Sequence, residues 1–235
     1  MSGVDIKALF GSGAHFGHKV SRWNPKMAKY IHSKRQDSHV LDLEQTAAGI
    51  EAAQEFLTGV AEAGRQVLFV GTKKQAKELV RKVADELGQP YVVERWLGGM
   101  LTNHTTIGTQ IKKLKQLEKR MATGELANRY NKLEVQRFQE QIDADNIKYG
   151  GIKDMKGRPG AVIVVDVLTD GIAVSEAKKL GIPVVAIVDS NADPEGIDYV
   201  IPANDDAIKS LELILGYLAD AVKTGAAKVK KEDKQ

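Results

Sequence analysis

The sequence predicts an α/β fold built on a parallel, doubly wound sheet, and three observations carry that prediction. Short, continuous runs of Val and Ile alternate with stretches of helical periodicity. Those runs are apolar at successive positions, which marks strands covered on both faces. The chain has 235 residues, 43% hydrophobic and 28% charged, enough to bury such a sheet and carry an insertion besides.

Val67–Val70 is the first run, and Gly71-Thr72 follows it. Ala76, Leu79, Val80, Val83 and Leu87 then keep helical spacing until Gly88 and Pro90 stop it. Tyr91–Val93 reads as the second strand and Ala161–Asp166 as the third. Asp170 is placed to cap the next helix, which ends at Gly181 with Pro183 beyond. Val184–Asp189 and Tyr199–Ile201 are the fourth and fifth strands, and an apolar helix from about Asp205 to Thr224 closes the order. Ahead of the first strand, a helix is expected over about Thr46–Ala63, with Val40-Leu41 forming a small strand or hairpin before it. Strands alternating with helices are the pattern of a parallel sheet.

The rhythm breaks between Thr102 and Gly150. Ile107, Ile111, Leu114, Leu117 and Met121 recur at steps of three and four, Thr123-Gly124 turns the chain, and Tyr130, Leu133, Phe138 and Ile142 mark a second stripe. This predicts an inserted antiparallel helical hairpin with a narrow apolar seam, as in a coiled coil. The chain therefore divides into a basic N-terminal segment with a candidate hairpin (1–45), an α/β domain (46–103 and 149–224), the insertion (104–148) and a basic tail (225–235) expected to be disordered.

There is no cysteine, so disulfides and thiolate metal sites are excluded. No apolar run approaches the roughly 18 residues needed to span a bilayer, and Met1–Phe10 lacks the pattern of a signal peptide. A cytoplasmic protein without a membrane partner is expected. The net charge of +3 hides an uneven distribution. Residues 1–36 carry seven Lys/Arg against one acid, residues 104–148 nine against six, and residues 223–235 five against two. The remaining chain is acidic. Such asymmetry points to a polyanionic partner.

Motifs for catalysis are weak. Gly11-Ser-Gly13-Ala-His-Phe-Gly17 has the wrong spacing for a dinucleotide loop, and no convincing strand precedes it. Gly71-Thr-Lys-Lys74 follows a strand and opens a helix, so it could hold a phosphate, but it is not a P-loop. Asp166 and Asp189 end neighbouring strands, where open parallel sheets bind ligands. With Asp205 and Asp206 they could form an acidic pocket. His18 could join Asp189 and Asp205 there to bind a divalent metal, with helix-capping and turn acids as the plainer alternative.

The basic segment is more informative. His15 to Arg35 holds six Lys/Arg, three His and no acid, with Phe16, Trp23 and Tyr30 interleaved. Cations neutralise phosphates, and aromatic rings stack on unpaired bases. Glu94–Asn103 pairs Arg95 with Trp96 and places Gly98-Gly99 beside them. Core packing is the plainer reading of Trp96 and Met100. An enzyme using the carboxyl edge of the sheet, and a scaffold whose hairpin binds a protein, are the rival readings.

Taken in order, these segments resemble one family, the bacterial small-subunit ribosomal protein numbered two. The matching stretches are Gly13–His18, Trp23–Met27, Leu68–Lys73, Arg95–Asn103, Gly150–Met155, Leu180–Pro183, Ala186–Gly196 and Ile201–Ile208. The resemblance spans about residues 5–222. It implies a flavodoxin-like three-layer domain with the coiled-coil hairpin inserted, and a structural role in translation without catalysis, organic cofactor or small-molecule substrate. It implies a place at the junction of head and body of the small subunit, touching rRNA and neighbouring proteins, among them the large mRNA-binding protein numbered one. The residues expected to face RNA are Lys19, Arg22, Trp23, Lys26, Arg95, Trp96 and Asn103, with Lys73 next, and Lys112, Lys113, Lys115, Lys119 and Arg120 along the hairpin. The N-terminal segment is expected to order only on RNA.

Overall fold

The computed structural model describes residues 3–232. Its centre is a five-stranded sheet made of β4 (Val67–Val70), β5 (Tyr91–Val92), β6 (Ala161–Val164), β7 (Val184–Val188) and β8 (Tyr199–Pro202). All its pairings are parallel and the spatial order is β5-β4-β6-β7-β8. Counted within the sheet this is 2-1-3-4-5, the flavodoxin-like order.

Successive residues of a strand face opposite sides of the sheet, and the two sides bury separate clusters. Val67, Phe69, Ile163, Val185, Ile187 and Ile201 point to one side, under α2 (Leu43–Glu62), α3 (Lys77–Leu87) and α8 (Ile208–Glu232). Leu68, Val70, Val162, Val164, Ala186 and Val188 point to the other, under α7 (Gly171–Lys179) and the loop carrying Trp96, Met100 and Leu101. Burying each Val, Leu, Ile or Phe among them stabilises the fold by about 1.5–3 kcal/mol before the opposing entropy. Both faces are covered, so three layers result.

The N-terminal segment carries regular structure of its own. After α1 (Ile6–Ser12), β1 (Phe16–Lys19), β2 (Ile31–Arg35) and β3 (Ser38–Leu41) form a small antiparallel sheet in the order β1-β3-β2. Met27 and Leu41 bury in the α7-side cluster, which is why this basic segment has an anchor of its own. α1 was not legible in the periodicity, since Leu9 is its only buried residue; its signals were Asp5, whose carboxylate caps Lys7 N–H at 2.8 Å, and Gly13 at φ +80°.

The insertion lies between β5 and β6. It consists of α4 (His104–Ala122), α5 (Glu125–Arg129) and α6 (Lys132–Tyr149). A short third helix thus stands where the sequence suggested only a turn. Leu114, Leu126 and Ile142 are its buried residues. Lys115 pairs with Asp154, and Lys153 with Glu118, tying the middle of α4 to the segment after α6.

Two further expectations are corrected. Asp170 does stand at the N-cap position of α7, but its side chain makes no capping bond, because its carboxylate accepts from Thr72 N–H and hydroxyl at 3.0 and 2.8 Å. The tail is not irregular from 225 onward, because α8 continues through Glu232, with Gly225 tight against Thr58 of α2 and Lys228 paired with Glu62. Residues 233–235 lie outside the described residues.

Gly49 shows how closely α2 lies on the sheet, since a Cβ there would stand 2.5 Å from the Val200 carbonyl oxygen. Backbone cannot yield as a side-chain tip can, so Gly49→Ala should cost roughly 1–3 kcal/mol. Urea unfolding checks this, and an unchanged midpoint would mean that α2 and β8 are not so closely packed.

Candidate nucleic-acid interface and the acidic cluster behind it

Asp166, Asp189 and Asp205 stand just beyond the carboxyl ends of β6, β7 and β8, and all three are buried. Lys73, in the turn after β4, reaches into them. Its Nζ is 2.6 Å from Asp205 Oδ1, 2.7 Å from Asp206 Oδ1 and 3.3 Å from Asp166 Oδ2. Burial works against the Lys73 charge, but the bonds to Asp205 and Asp206 outweigh it and raise its pKa. Burial and the neighbouring Asp189 charge push Asp205 up to about 7 despite Lys73. Asp166 is held below the ordinary carboxylate range: burial pushes it up, but Thr169 N–H and hydroxyl, Lys73 and Leu168 N–H prevail.

His18 of β1 closes the cluster. Its Nδ1 lies 3.1 Å from Asp189 Oδ2 and its Nε2 3.4 Å from Asp206 Oδ2. The hydrogen bond to Asp189 raises its pKa, against burial and with help from the surrounding acids. Backbone contacts fix the same segment. Ser190 Oγ accepts from His18 N–H at 2.8 Å, Ser190 carbonyl from Asn24 N–H at 2.8 Å, and Ala14 carbonyl from Asn204 N–H at 2.9 Å. A Cβ on Gly17 would meet Ser190 Oγ at 2.8 Å, so the chain passes close there. The basic segment is thereby clamped on the carboxyl edge of the sheet.

A second clamp shapes the loop from Glu94 to Asn103. Glu176 of α7 is buried and accepts five hydrogen bonds from it. Its Oε1 takes Trp96 Nε1–H at 3.1 Å and Gly99 N–H at 2.6 Å. Its Oε2 takes the N–H groups of Leu101 and Thr102 at 3.0 Å each and the Thr102 hydroxyl at 2.9 Å. Burial alone would raise the Glu176 pKa, but these donors hold it below the usual range. Sequence reasoning missed Glu176, Ser190 and Asn204, because a lone acid in a helix and turn residues in a loop carry no signal for distant partners.

The sequence model of the family described as ribosomal protein S2 matches residues 9–225. The chain belongs to the ribosomal protein S2 family. It is 47% identical to the small ribosomal subunit protein uS2 of Porphyromonas gingivalis over 234 residues, 99% of this chain and 82% of that one. It is 48% identical to the uS2 proteins of a Roseiflexus species, over 94% of this chain and 84% of that one, and of Fusobacterium nucleatum, over 96% and 91%. It is therefore a structural component of the small ribosomal subunit, associated with ribosomal RNA and other subunit proteins, and not an enzyme. The subunit is cytoplasmic in bacteria, and no helix among the described residues is long and apolar enough to cross a membrane.

Within this S2 chain the thirteen residues expected at RNA fall into distinct groups. Lys19, Arg22, Arg95, Lys112, Lys113 and Lys119 are exposed and make no ion pair among the described residues. Lys26 is exposed but paired with Asp193 and Glu195, Lys115 with Asp154, and Arg120 with Glu125. Asn103 is exposed and caps α4 through Thr106 N–H. Trp23 is half-buried, 5.0 Å from the His39 ring. Two expectations are corrected. Trp96 is 6% exposed with its N–H on Glu176, so no ring face is open to a base. Lys73 is enclosed by three carboxylates, so its charge is neutralised inside the protein. The three residues proposed for metal, His18, Asp189 and Asp205, do come together, and one ligand atom of each lies within 4.8 Å of the others.

Glu176→Ala would leave three backbone N–H groups and the Trp96 indole N–H without their acceptor. Each unpaired buried donor costs about 1–3 kcal/mol, so a loss of at least about 3 kcal/mol is expected. In a Trp23→Phe background, which leaves Trp96 as sole reporter, emission should shift to the red as water enters the loop. Unchanged stability and emission would show that Glu176 does not organise it.

Proposed function

We propose that the chain grips small-subunit rRNA with a preformed basic surface made of the N-terminal sheet, the loop around Arg95 and the outer face of α4. One observation carries this reading. Met27 and Leu41 from the N-terminal segment share a buried cluster with Trp96, Met100 and Leu101, and Ile107 and Ile111 of α4 pack against it. The three basic elements therefore rise from the same side of the central sheet. Lys19, Arg22, Lys34, Arg35, Arg95, Lys112, Lys113 and Lys119 are exposed on them. Such cations position a phosphate backbone and read its shape, not its bases. Neither a small-molecule substrate nor an organic cofactor is needed for that work.

The proposal extends to the place at the junction of head and body and to docking of the large mRNA-binding protein numbered one, as the family resemblance implies. The exposed side chains of Ile6, Phe10 and Phe16, at 44%, 62% and 55% exposure, favour a protein neighbour near the N-terminus, because apolar surface gains most by burial against protein.

Lys19→Glu with Arg22→Glu tests the RNA surface. Both side chains are exposed, so thermal unfolding should change little. Sucrose-gradient sedimentation of a lysate should show less of the double variant with the small subunit. Binding to the isolated rRNA should lose about two units of salt slope. Normal incorporation with an unchanged salt response would remove this segment from the RNA interface.

A further inference from the structure

A second group of cations stands at the opposite, amino edge of the central sheet. Arg65 lies just before β4, and Lys156 and Arg158 lie just before β6, the strand beside it. Gln66 joins the two approaches: its Oε1 accepts from Lys156 N–H at 2.6 Å and its carbonyl accepts from Gly160 N–H at 2.7 Å. Both ends of the turn 156–160 are thereby held. Gly157 turns it at φ +76°, and Pro159 within it is buried. Arg65 packs along it, since a Cβ on Gly160 would stand 2.8 Å from Arg65 Cβ, and Arg65 Nη2 donates to the Pro159 carbonyl at 3.4 Å. Arg65, Lys156 and Arg158 are exposed and make no ion pair among the described residues. The acids next to them along the chain are already engaged, Glu62 with Lys228 of α8 and Asp154 with Lys115 of α4.

We infer that this turn is a second RNA site, taking the phosphate ridge of a helical segment. The inference rests on the rRNA reading for its partner, but the surface is a different one. A cation at a helix C-terminus offsets the helix dipole, which is reason enough for Arg65 at the end of α2. Lys156 and Arg158 sit on no helix, so the dipole gives no reason for them. A held turn with three uncompensated cations suits a row of phosphates, which charge and shape recognise without base contacts. Stacking on unpaired bases needs an open ring, and the exposed Phe10, Phe16 and Tyr130 belong to α1, β1 and the hairpin. Ile147 of α6 shares a cleft of about 700 Å³ with Gln66 and Met155, and the exposed Asp85 in that cleft marks the acidic border of the patch. Strands rise about 3.3 Å per residue, so β4 and β6 keep the two edges roughly 15 Å apart. The chain is then held between two stretches of RNA, not laid on one.

The chain has no cysteine, so Lys156→Cys or Lys19→Cys carries a tethered iron-EDTA probe at one known place. Each labelled full-length protein is bound to small subunits from which this protein has been removed. The probe at position 156 should cut the rRNA at a segment apart from the one cut from position 19. Lys156→Glu with Arg158→Glu should lower the salt slope of binding to the same subunits by about two units. Thermal unfolding should stay as in the parent, since both side chains are exposed and the bond to Gln66 uses the Lys156 backbone. No cut from position 156, or an unchanged salt slope in the double variant, would overturn the inference. Cuts from position 19 alone would do so while leaving the first basic surface at the RNA. Cuts from position 156 alone would keep this site and remove the first surface instead.

Discussion

Asp166, Asp189 and Asp205 end three adjacent strands of one parallel sheet, and the topology leaves them no choice but to meet. Parallel strands deliver their carboxyl ends to the same edge, and the connections after them set their acids within a few ångströms of each other. Such a group is tolerated only if cations are brought to it. Lys73 comes from the turn after β4, inside the sheet domain. His18 comes from outside it, on the first strand of the N-terminal sheet. The need to compensate buried charge thus draws the N-terminal segment onto the domain. Ser190 and Asn204 then hold it there through backbone bonds.

From that clamp follows the order of the basic surface. A polycation on a free tail would lose conformational entropy on meeting RNA. Here Lys19 and Arg22 lie in a segment that His18 and Asn24 tie to the sheet edge, so the fold itself sets where these cations stand. Glu176 does the same for the loop around Arg95 by gathering its N–H groups on one buried carboxylate. In both places an acid inside the protein sets the position of a cation outside it. The acidic body and the basic extensions are therefore parts of one electrostatic arrangement.

The legible parts of the sequence were those governed by local rules. The Val and Ile runs gave every strand of the central sheet, because burial on both faces admits little else. The helices followed from spacing, with errors at their ends. α2 begins at Leu43 because Asp42 caps it, and α8 runs on to Glu232 because Gly225 and Lys228 still have partners on α2. What was not legible depended on contacts between distant residues. Lys73 and Trp96 look like RNA-facing residues by type, yet Asp205 and Glu176, 132 and 80 positions away, turn both inward. The assembly of His18 with Asp189 and Asp205 was legible for the opposite reason: strand-end acids of a parallel sheet converge by topology, and His18 lay in a segment that had to pack somewhere.

The fate of each cation can thus be argued from its neighbours in the fold. Lys73 has three carboxylates and little water, so its charge is internal and its role is to let the acids stay buried. Lys26 sits between Asp193 and Glu195 on the surface, where solvent screening makes such pairs weak, and a phosphate could draw it away at little cost. Lys19, Arg22 and Arg95 need no such exchange, since no carboxylate pairs with them among the described residues. A ranking by residue type would treat all five alike. For the proposed RNA surface, a ranking by what each must give up first puts Lys19, Arg22 and Arg95 foremost, Lys26 behind them, and Lys73 with the protein's own acids.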